Sequence, residues 1–369
     1  MLKNISFHPE LQYQRLTEAP FTLQRGDSLP DIVVAYRTFG ELNAERSNVV
    51  LVAHALTGSA ACDEWWSGLI GRGKILDPDQ YFIICANTLG SCYGTTGPDT
   101  IDPTTGVEYG DSFPEITICD IARTQFALLR ELGITSLYLA IGGSMGGMVL
   151  LELALLNIEA GSPITIENLI PIATGANHSA WRIAFSATIR KTIERFAQLD
   201  LENGLSEGLR IARQFAMISY RSSEEFNERF GRETSDKQDK FEVESYLEHK
   251  GYEILNRFSP QSYITLTRAM ELFDLAEGRA GSIDLLLSTI DARTLLVGIS
   301  SDILYAEEEI RELAKSIPNA HYATLTAPYG HDSFLVPTTN LPEILGNFLN
   351  EAEASSTLSP FAIHESIHA

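Results

Sequence analysis

The run Leu137-Tyr138-Leu139-Ala140-Ile141-Gly142-Gly143-Ser144-Met145-Gly146-Gly147 constrains this chain more than any other segment. Its continuous apolar start predicts a strand buried on both faces. The strand breaks into glycines around a single serine, and a helix-competent apolar run, Met145 to Asn157, follows at once. Gly-x-Ser-x-Gly between strand and helix reads as a nucleophile elbow. Small neighbours permit the tight turn, which lifts the serine hydroxyl above the sheet at a helix N-terminus, where developing negative charge is favoured. The bare pattern also fits an ordinary glycine turn, so the rest of the chain must supply partners.

Further β-rich runs lie at Ile32-Val33-Val34-Ala35-Tyr36, Val49-Val50-Leu51-Val52-Ala53 and Tyr81-Phe82-Ile83-Ile84-Cys85. Three more follow at Leu169-Ile170-Pro171-Ile172-Ala173, Thr294-Leu295-Leu296-Val297-Gly298 and Tyr322-Ala323-Thr324-Leu325-Thr326. Pro171 counts against its strand, because proline removes a ladder donor. Helical spacing appears between runs, as at Ile116 to Leu132. Strands alternating with helices predict an α/β class with a mostly parallel central sheet, the α/β-hydrolase fold once the elbow is included.

From His178 to Leu287 strand signals fade and amphipathic helices are expected, for example Leu205 to Tyr220 and Pro260 to Leu275. Strand periodicity then resumes at Arg293. The expected organisation is a core of residues 1–177 and 288–369, with residues 178–287 inserted as a helical lid. The stretch from Glu351 onward is expected to be a helix end and a loose tail.

A chain of 369 residues with 44% hydrophobic content can bury one large core. Its net charge of −22 opposes nucleic acid and anionic lipid as partners, since both need a basic footprint. No apolar run approaches the ~20 residues that span a bilayer, and Met1 to Pro9 lacks the core of a secretory signal, so a cytoplasmic location is expected. Cys62, Cys85, Cys92 and Cys119 show no Cys-x-x-Cys spacing and no nearby histidines, so neither a metal site nor a disulfide framework is expected.

A nucleophilic serine needs a base and an orienting acid, which in this fold follow in the order Ser, Asp or Glu, His. Asp302 and His331 each follow a strand, at the end of the sheet where loops converge. Among the other histidines, His8, His364 and His368 are near the termini, His249 is in a charged helical stretch and His321 precedes a strand. His54 leads into Ala55-Leu56-Thr57-Gly58, where a role in the turn outweighs one as base, and His178 opens the lid. Asp291 lies at the wrong end of its strand, and Asp332 is too close in sequence to reach its neighbour's Nδ1–H easily. The expected triad is Ser144, His331 and Asp302.

With these positions placed, the chain resembles the homoserine O-acetyltransferase family over about residues 30–337. The resemblance is carried by His54-Ala55-Leu56-Thr57-Gly58, by Asn87-Thr88-Leu89-Gly90-Ser91-Cys92-Tyr93-Gly94-Thr95-Thr96-Gly97-Pro98 and by Phe113-Pro114-Glu115-Ile116-Thr117-Ile118. It is carried also by the elbow through Met148 and by Tyr329-Gly330-His331-Asp332-Ser333-Phe334-Leu335. It implies ping-pong transfer of an acetyl group from acetyl-CoA, a substrate rather than a bound cofactor, to the hydroxyl of L-homoserine. It also implies an oxyanion hole from the N–H groups of Leu56 and Met145, acceptor binding by Thr57, Arg213, Tyr220 and Asp332, and a homodimer built through lid helices.

An amino-acid acceptor carries a carboxylate and an ammonium, which suit a guanidinium fork and a carboxylate respectively. Read without the family, Arg213 is a solvated lid arginine like Arg210, Arg221 and Arg229, Tyr220 is a core aromatic, and Asp332 caps a helix starting at Ser333. Val149 and Leu153 stand where the family usually has Gln and Trp, and Ser91 where it has Gly. Those departures bear on succinyl against acetyl donors and serine against homoserine acceptors. An esterase or thioesterase, or a silent binding scaffold, are the competing readings.

Overall fold

The computed structural model describes residues 10–161, 164–200, 202–235 and 240–357. Its strands are β1 (Gln12–Arg15), β2 (Phe21–Thr22), β3 (Ser28–Leu29), β4 (Val33–Phe39), β5 (Val49–Ala53), β6 (Phe82–Ala86), β7 (Ser136–Gly143), β8 (Thr165–Ile172), β9 (Arg293–Ile299) and β10 (Ala320–Leu325). Eight of them form one sheet in the order β1-β4-β6-β5-β7-β8-β9-β10, and β2 pairs with β3 apart from it. Strands β5 to β10 run parallel.

The first expected run, near Ile32 to Tyr36, lies in β4, which is antiparallel to both neighbours rather than part of the parallel set. Burial on both faces produces an apolar run in either direction, so the pattern could not distinguish them. Strand β1, Gln-Tyr-Gln-Arg, is mostly exposed and carries no apolar signal; it exists through its ladder to β4. Pro171 does sit inside a central strand, paired with Gly142 of β7. The ladder from β8 to β9 skips Ile170 and Pro171, so the missing donor falls where no bond is formed.

The helices are α1 (Cys62–Trp65), α2 (Ile118–Glu131), α3 (Met145–Glu159), α4 (Ala180–Leu199), α5 (Gly204–Tyr220), α6 (Ser223–Phe230), α7 (Glu242–Leu255), α8 (Pro260–Glu271), α9 (Ile283–Leu287), α10 (Glu307–Lys315) and α11 (Leu341–Thr357). Thr117 starts α2 with a capping box: its hydroxyl accepts from Asp120 N–H, and the Asp120 carboxylate accepts from Thr117 N–H. Apolar on every side, α3 is buried from Met145 to Leu155 between β7, β8 and α2. Its one buried acid, Glu152, pairs with Arg279 at 2.8 Å.

Helices α4 to α9 all fall between β8 and β9. Four of them begin on a serine that accepts from the first turn, at Ser179, Ser222, Ser259 and Ser282. Their buried residues Leu209, Ala212, Ile254, Tyr263 and Leu266 join the same apolar cluster as Val49 and Leu51 of the sheet. The far face of the sheet packs Val50, Val52 and Ile83 against Trp66, Leu345 and Phe348. The tail beyond Thr357, with His364 and His368, lies outside the described residues, as do His8 and the segment Met1 to Pro9. No helix among the described residues is long and apolar enough to cross a membrane.

Candidate active site

The register of β5 with β7 sets Ala53 opposite Gly142 and brings two strand ends level. Chain direction then reverses into α3 at Ser144, which has φ 56° and ψ −121°. A non-glycine residue there is strained, and three bonds hold it. Ser144 N–H donates to the Ile172 carbonyl at 2.9 Å, while its carbonyl accepts from Thr174 Oγ1 at 2.9 Å and Met148 N–H at 3.2 Å. A Cβ at Gly146 would stand 2.1 Å from the Ala53 carbonyl oxygen, so glycine is what lets α3 approach the end of β5. The backbone N–H groups of Leu56 and Met145 have no protein acceptor among the described residues.

Asp302 follows β9 and His331 follows β10, in a 3-10 turn at Gly330–Leu335. His331 Nδ1–H donates to Asp302 Oδ2 at 2.6 Å. The other oxygen, Oδ1, accepts from the N–H groups of Leu304 at 2.7 Å and Tyr305 at 3.1 Å. Ser301 ties the two loops together, donating to the Ala327 carbonyl at 2.5 Å and accepting from Gly330 N–H at 2.9 Å. Burial disfavours the imidazolium, but the Asp302 carboxylate and its hydrogen bond outweigh this and raise the His331 pKa above its ordinary 6.5.

Two rings link this imidazole to the elbow. Phe334 meets His331 edge-on at 5.8 Å and lies directly over Gly143. Tyr305 stacks on His331, and its buried hydroxyl faces the Ser144 side chain. No direct hydrogen bond joins Ser144 to His331 among the described residues. Tyr305 is in turn covered by the Arg182 guanidinium at 4.5 Å. Arg182, from α4, bonds the carbonyls of Leu304 and Asn177 and the carboxylate of Glu309. No sequence motif pointed to Arg182 or Tyr305, because their importance lies in contacts across the fold.

The helical insertion meets the His331 loop at the junction of α5 and α6. Gly330 has φ 68°, and a Cβ there would lie 2.6 Å from the Arg221 backbone. Ser222 Oγ donates to the Pro328 carbonyl. Asp332 lies inside the 3-10 turn rather than capping a helix at Ser333, and its carboxylate pairs with Arg221 Nε at 3.3 Å. Arg221 is therefore not a solvated arginine as expected; only its position beside Tyr220 could have marked it. Arg210, paired with Glu207, also has only 18% of its side chain exposed.

Tyr220 lies 6.0 Å from His331, and the Arg213 guanidinium stands 5.5 Å from the Tyr220 ring. Arg213 forms no ion pair among the described residues, although acids outnumber bases by 49 to 27 in this chain. Arg213, Met217, Arg221, Lys250, Glu253, Ile254, Arg257 and Asp332 line a cavity of about 160 Å³. Glu253 pairs with Lys250 and Asp332 with Arg221, while Arg213 and Arg257 form no ion pair among the described residues.

His54 is fully buried and held neutral, its pKa pushed down to about 4 by desolvation. Its Nε2 accepts from Thr88 N–H at 3.1 Å, which places the proton on Nδ1, and Nδ1–H donates to the Ala55 carbonyl at 2.8 Å. His178 is also buried, its pKa lowered to about 3 by burial and the nearby Arg182 charge. Cys62, Cys85, Cys92 and Cys119 are free, buried thiols. No cluster of three potential metal ligands occurs among the described residues.

The family model for the alpha/beta hydrolase fold matches residues 48–338. A homoserine O-acetyltransferase of Trichormus variabilis is 48% identical over 334 residues, covering 89% of this chain and 91% of the relative. One from Nostoc punctiforme is 46% identical, covering 91% and 95%. Among solved structures, a homoserine O-acetyltransferase from Bacillus anthracis superposes with a TM-score of 0.80 at 24% identity, covering 92% of this chain and 98% of that one. An acetylester hydrolase from Corynebacterium glutamicum superposes at 0.78 with 23% identity, covering 92% and 95%, so the fold is common to transferases and hydrolases. The chain belongs to the homoserine O-acetyltransferase family, built on the alpha/beta hydrolase fold.

Proposed function

We propose that this protein transfers the acetyl group of acetyl-CoA to the side-chain hydroxyl of L-homoserine, a step of methionine biosynthesis, through an acetyl-Ser144 intermediate. The observation that carries acyl transfer is the Asp302–His331 hydrogen bond of 2.6 Å beside a serine held in a strained elbow. His331 Nε2 takes the Ser144 proton as Oγ attacks the thioester carbonyl. The N–H groups of Leu56 and Met145 stabilise the oxyanion. Collapse breaks the C–S bond, and the imidazolium returns its proton to the departing CoA sulfur.

In the second half the homoserine hydroxyl gives its proton to His331 and attacks the acetyl carbon, and Ser144 Oγ leaves and regains a proton. Arg213 takes the acceptor carboxylate and Asp332 its ammonium, with Thr57 and Tyr220 beside them. Arg213 forms no ion pair among the described residues of so acidic a chain, which supports this reading, since a half-buried cation without a carboxylate partner is open to an anionic ligand. Helices α4 to α9 act as the lid, roofing the site against water, which competes with the alcohol for the acyl enzyme.

The protein works as a cytoplasmic homodimer. Four free buried thiols suit a reducing compartment, and Phe215 and Ile218 expose apolar surface on α5. Release of CoA thiol is the direct test. A strong rise in the rate on adding homoserine supports transfer, and a rate indifferent to homoserine indicates hydrolysis. Mass spectrometry of products from mixed acetyl- and succinyl-CoA with homoserine and serine tests the choice of both substrates.

A further inference from the structure

Ala55 to Gly58 form a turn closed by Gly58 N–H donating to the Ala55 carbonyl at 2.8 Å. A peptide unit is planar, so the direction of the Ala55 carbonyl fixes that of the Leu56 N–H opposite it. On this side the turn is held by His54 Nδ1–H, which donates to the same carbonyl. Its other side is held from outside the core. Arg257 donates from Nη1 to the Thr57 carbonyl at 2.7 Å and from Nη2 to Thr57 Oγ1 at 3.3 Å.

Arg257 follows α7 in the helical insertion, 200 residues from Thr57. Its own place is set by the Asn87–Asp99 loop. Ser259 N–H donates to Cys92 Sγ at 3.4 Å, Ser259 Oγ donates to Asp99 at 2.8 Å, and the Tyr93 hydroxyl lies 3.5 Å from Arg257 Nη1. The same loop reaches the start of the turn through Thr88 N–H and His54. One loop therefore anchors both ends of the segment that carries Leu56.

We infer that Arg257 is a positioning residue for the oxyanion turn, so that acylation of Ser144 depends on a side chain supplied by the insertion. The inference rests on the reading of Ser144 as nucleophile and of Leu56 N–H as oxyanion donor. Arg257 acts through Thr57 and does not touch the reacting atoms. Without its two bonds the Thr57–Gly58 peptide loses its outer tether, and the Leu56 N–H departs from the direction the developing oxyanion requires. Displacements of this kind cost on the order of 10- to 100-fold in rate.

The test compares wild type, Arg257→Met and Arg257→Lys in acylation by p-nitrophenyl acetate and a fluorophosphonate, neither of which needs an acceptor or carries a CoA phosphate. KM and kcat for acetyl-CoA are measured alongside, and thermal midpoints verify folding. Arg257→Met is expected to slow acylation by about 10- to 100-fold with little change in KM for acetyl-CoA. Arg257→Lys, keeping one donor for the Thr57 carbonyl, recovers part of the rate. Unchanged acylation, or a raised KM for acetyl-CoA with kcat unchanged, overturns the inference; the second result makes Arg257 a binding cation for the donor's phosphates. A wild type inert to fluorophosphonate overturns the nucleophile reading and the inference together, whereas a reactive wild type with an equally reactive Arg257→Met overturns the inference alone.

Discussion

The ring of Tyr305 lies almost flat against the imidazole of His331, with centroids 5.2 Å apart and planes 22° from parallel. The same loop supplies Asp302, so one short segment both hydrogen-bonds the imidazole edge and covers its face. Aromatic pairs of this kind contribute about 0.5–1.5 kcal/mol beyond burial. Tyr305→Leu is therefore expected to lower kcat roughly 2- to 10-fold through a less constrained imidazole. Tyr305→Phe keeps the ring and should retain most of the activity. Equal losses in both variants, measured by CoA release with homoserine, would instead assign the effect to the hydroxyl.

Asp302→Asn removes the carboxylate that sets the His331 tautomer while nearly preserving shape. A loss on the order of 10⁴-fold in kcat is expected from triads of this kind. The pH profile gives an independent check. With neutral His331 as the proposed base and its pKa raised above 6.5, wild-type acylation should fall with an inflection above pH 6.5 as pH drops. In Asp302→Asn the inflection should move down, because the largest influence opposing desolvation is then gone and only the Asp332 charge still raises the pKa. A profile of residual acylation unmoved by the substitution would exclude Asp302 as the cause.

His54 and His178 tie stability to pH with a definite sign. Their folded pKa values, about 4 and about 3, lie below the ordinary 6.5, so the unfolded chain binds protons first on acidification. Stability should fall as pH drops from about 6.5 towards those values, by up to about 3 kcal/mol for His54 and about 5 kcal/mol for His178. His331 acts in the opposite sense: its raised pKa adds stability fully present below pH 6.5 and lost as pH rises through the folded value. Urea unfolding of wild type and His178→Gln at pH 7 and pH 5 isolates one contribution. A smaller stability difference between the two pH values in the variant is expected, and an unchanged one would mean His178 titrates normally.

Gly146→Ala places a methyl 2.1 Å from the Ala53 carbonyl oxygen, against backbone that cannot give way cheaply. Displacing α3 or β5 should cost about 1–3 kcal/mol or more. The thermal midpoint should fall, and fluorophosphonate labelling of Ser144 should fall with it. A variant with unaltered midpoint and labelling would show that the elbow tolerates a wider turn.

Local pattern carried a large part of this architecture. Strands β5 to β9 and helices α2, α3, α5 and α8 each have a burial pattern visible as an apolar run or a helical stripe. Strand β1 was invisible because its stability comes from hydrogen bonds to β4 rather than from side chains. Pro171 was misleading because a proline's cost depends on whether the neighbouring strand wants the lost donor. The acid could be narrowed by chain order, and Asp302 is the carboxylate that meets His331, while Asp332 pairs with Arg221. Arg221 itself was misread, since charge at the end of a helix is normally solvated and only the approach of Gly330 brings it inward.

By itself the order of residues determined the elbow, the alternation of strands and helices, and the chemical types available to form a triad. Each follows from interactions between near neighbours in the chain: periodic burial, glycine at a tight turn, a hydroxyl at a helix start. Tertiary structure decided which distant groups share a site: Tyr305 on His331, Arg182 over Tyr305, Arg257 on Thr57. Those contacts join segments brought together only by packing the insertion on the sheet, and no local periodicity encodes which side chain will meet which.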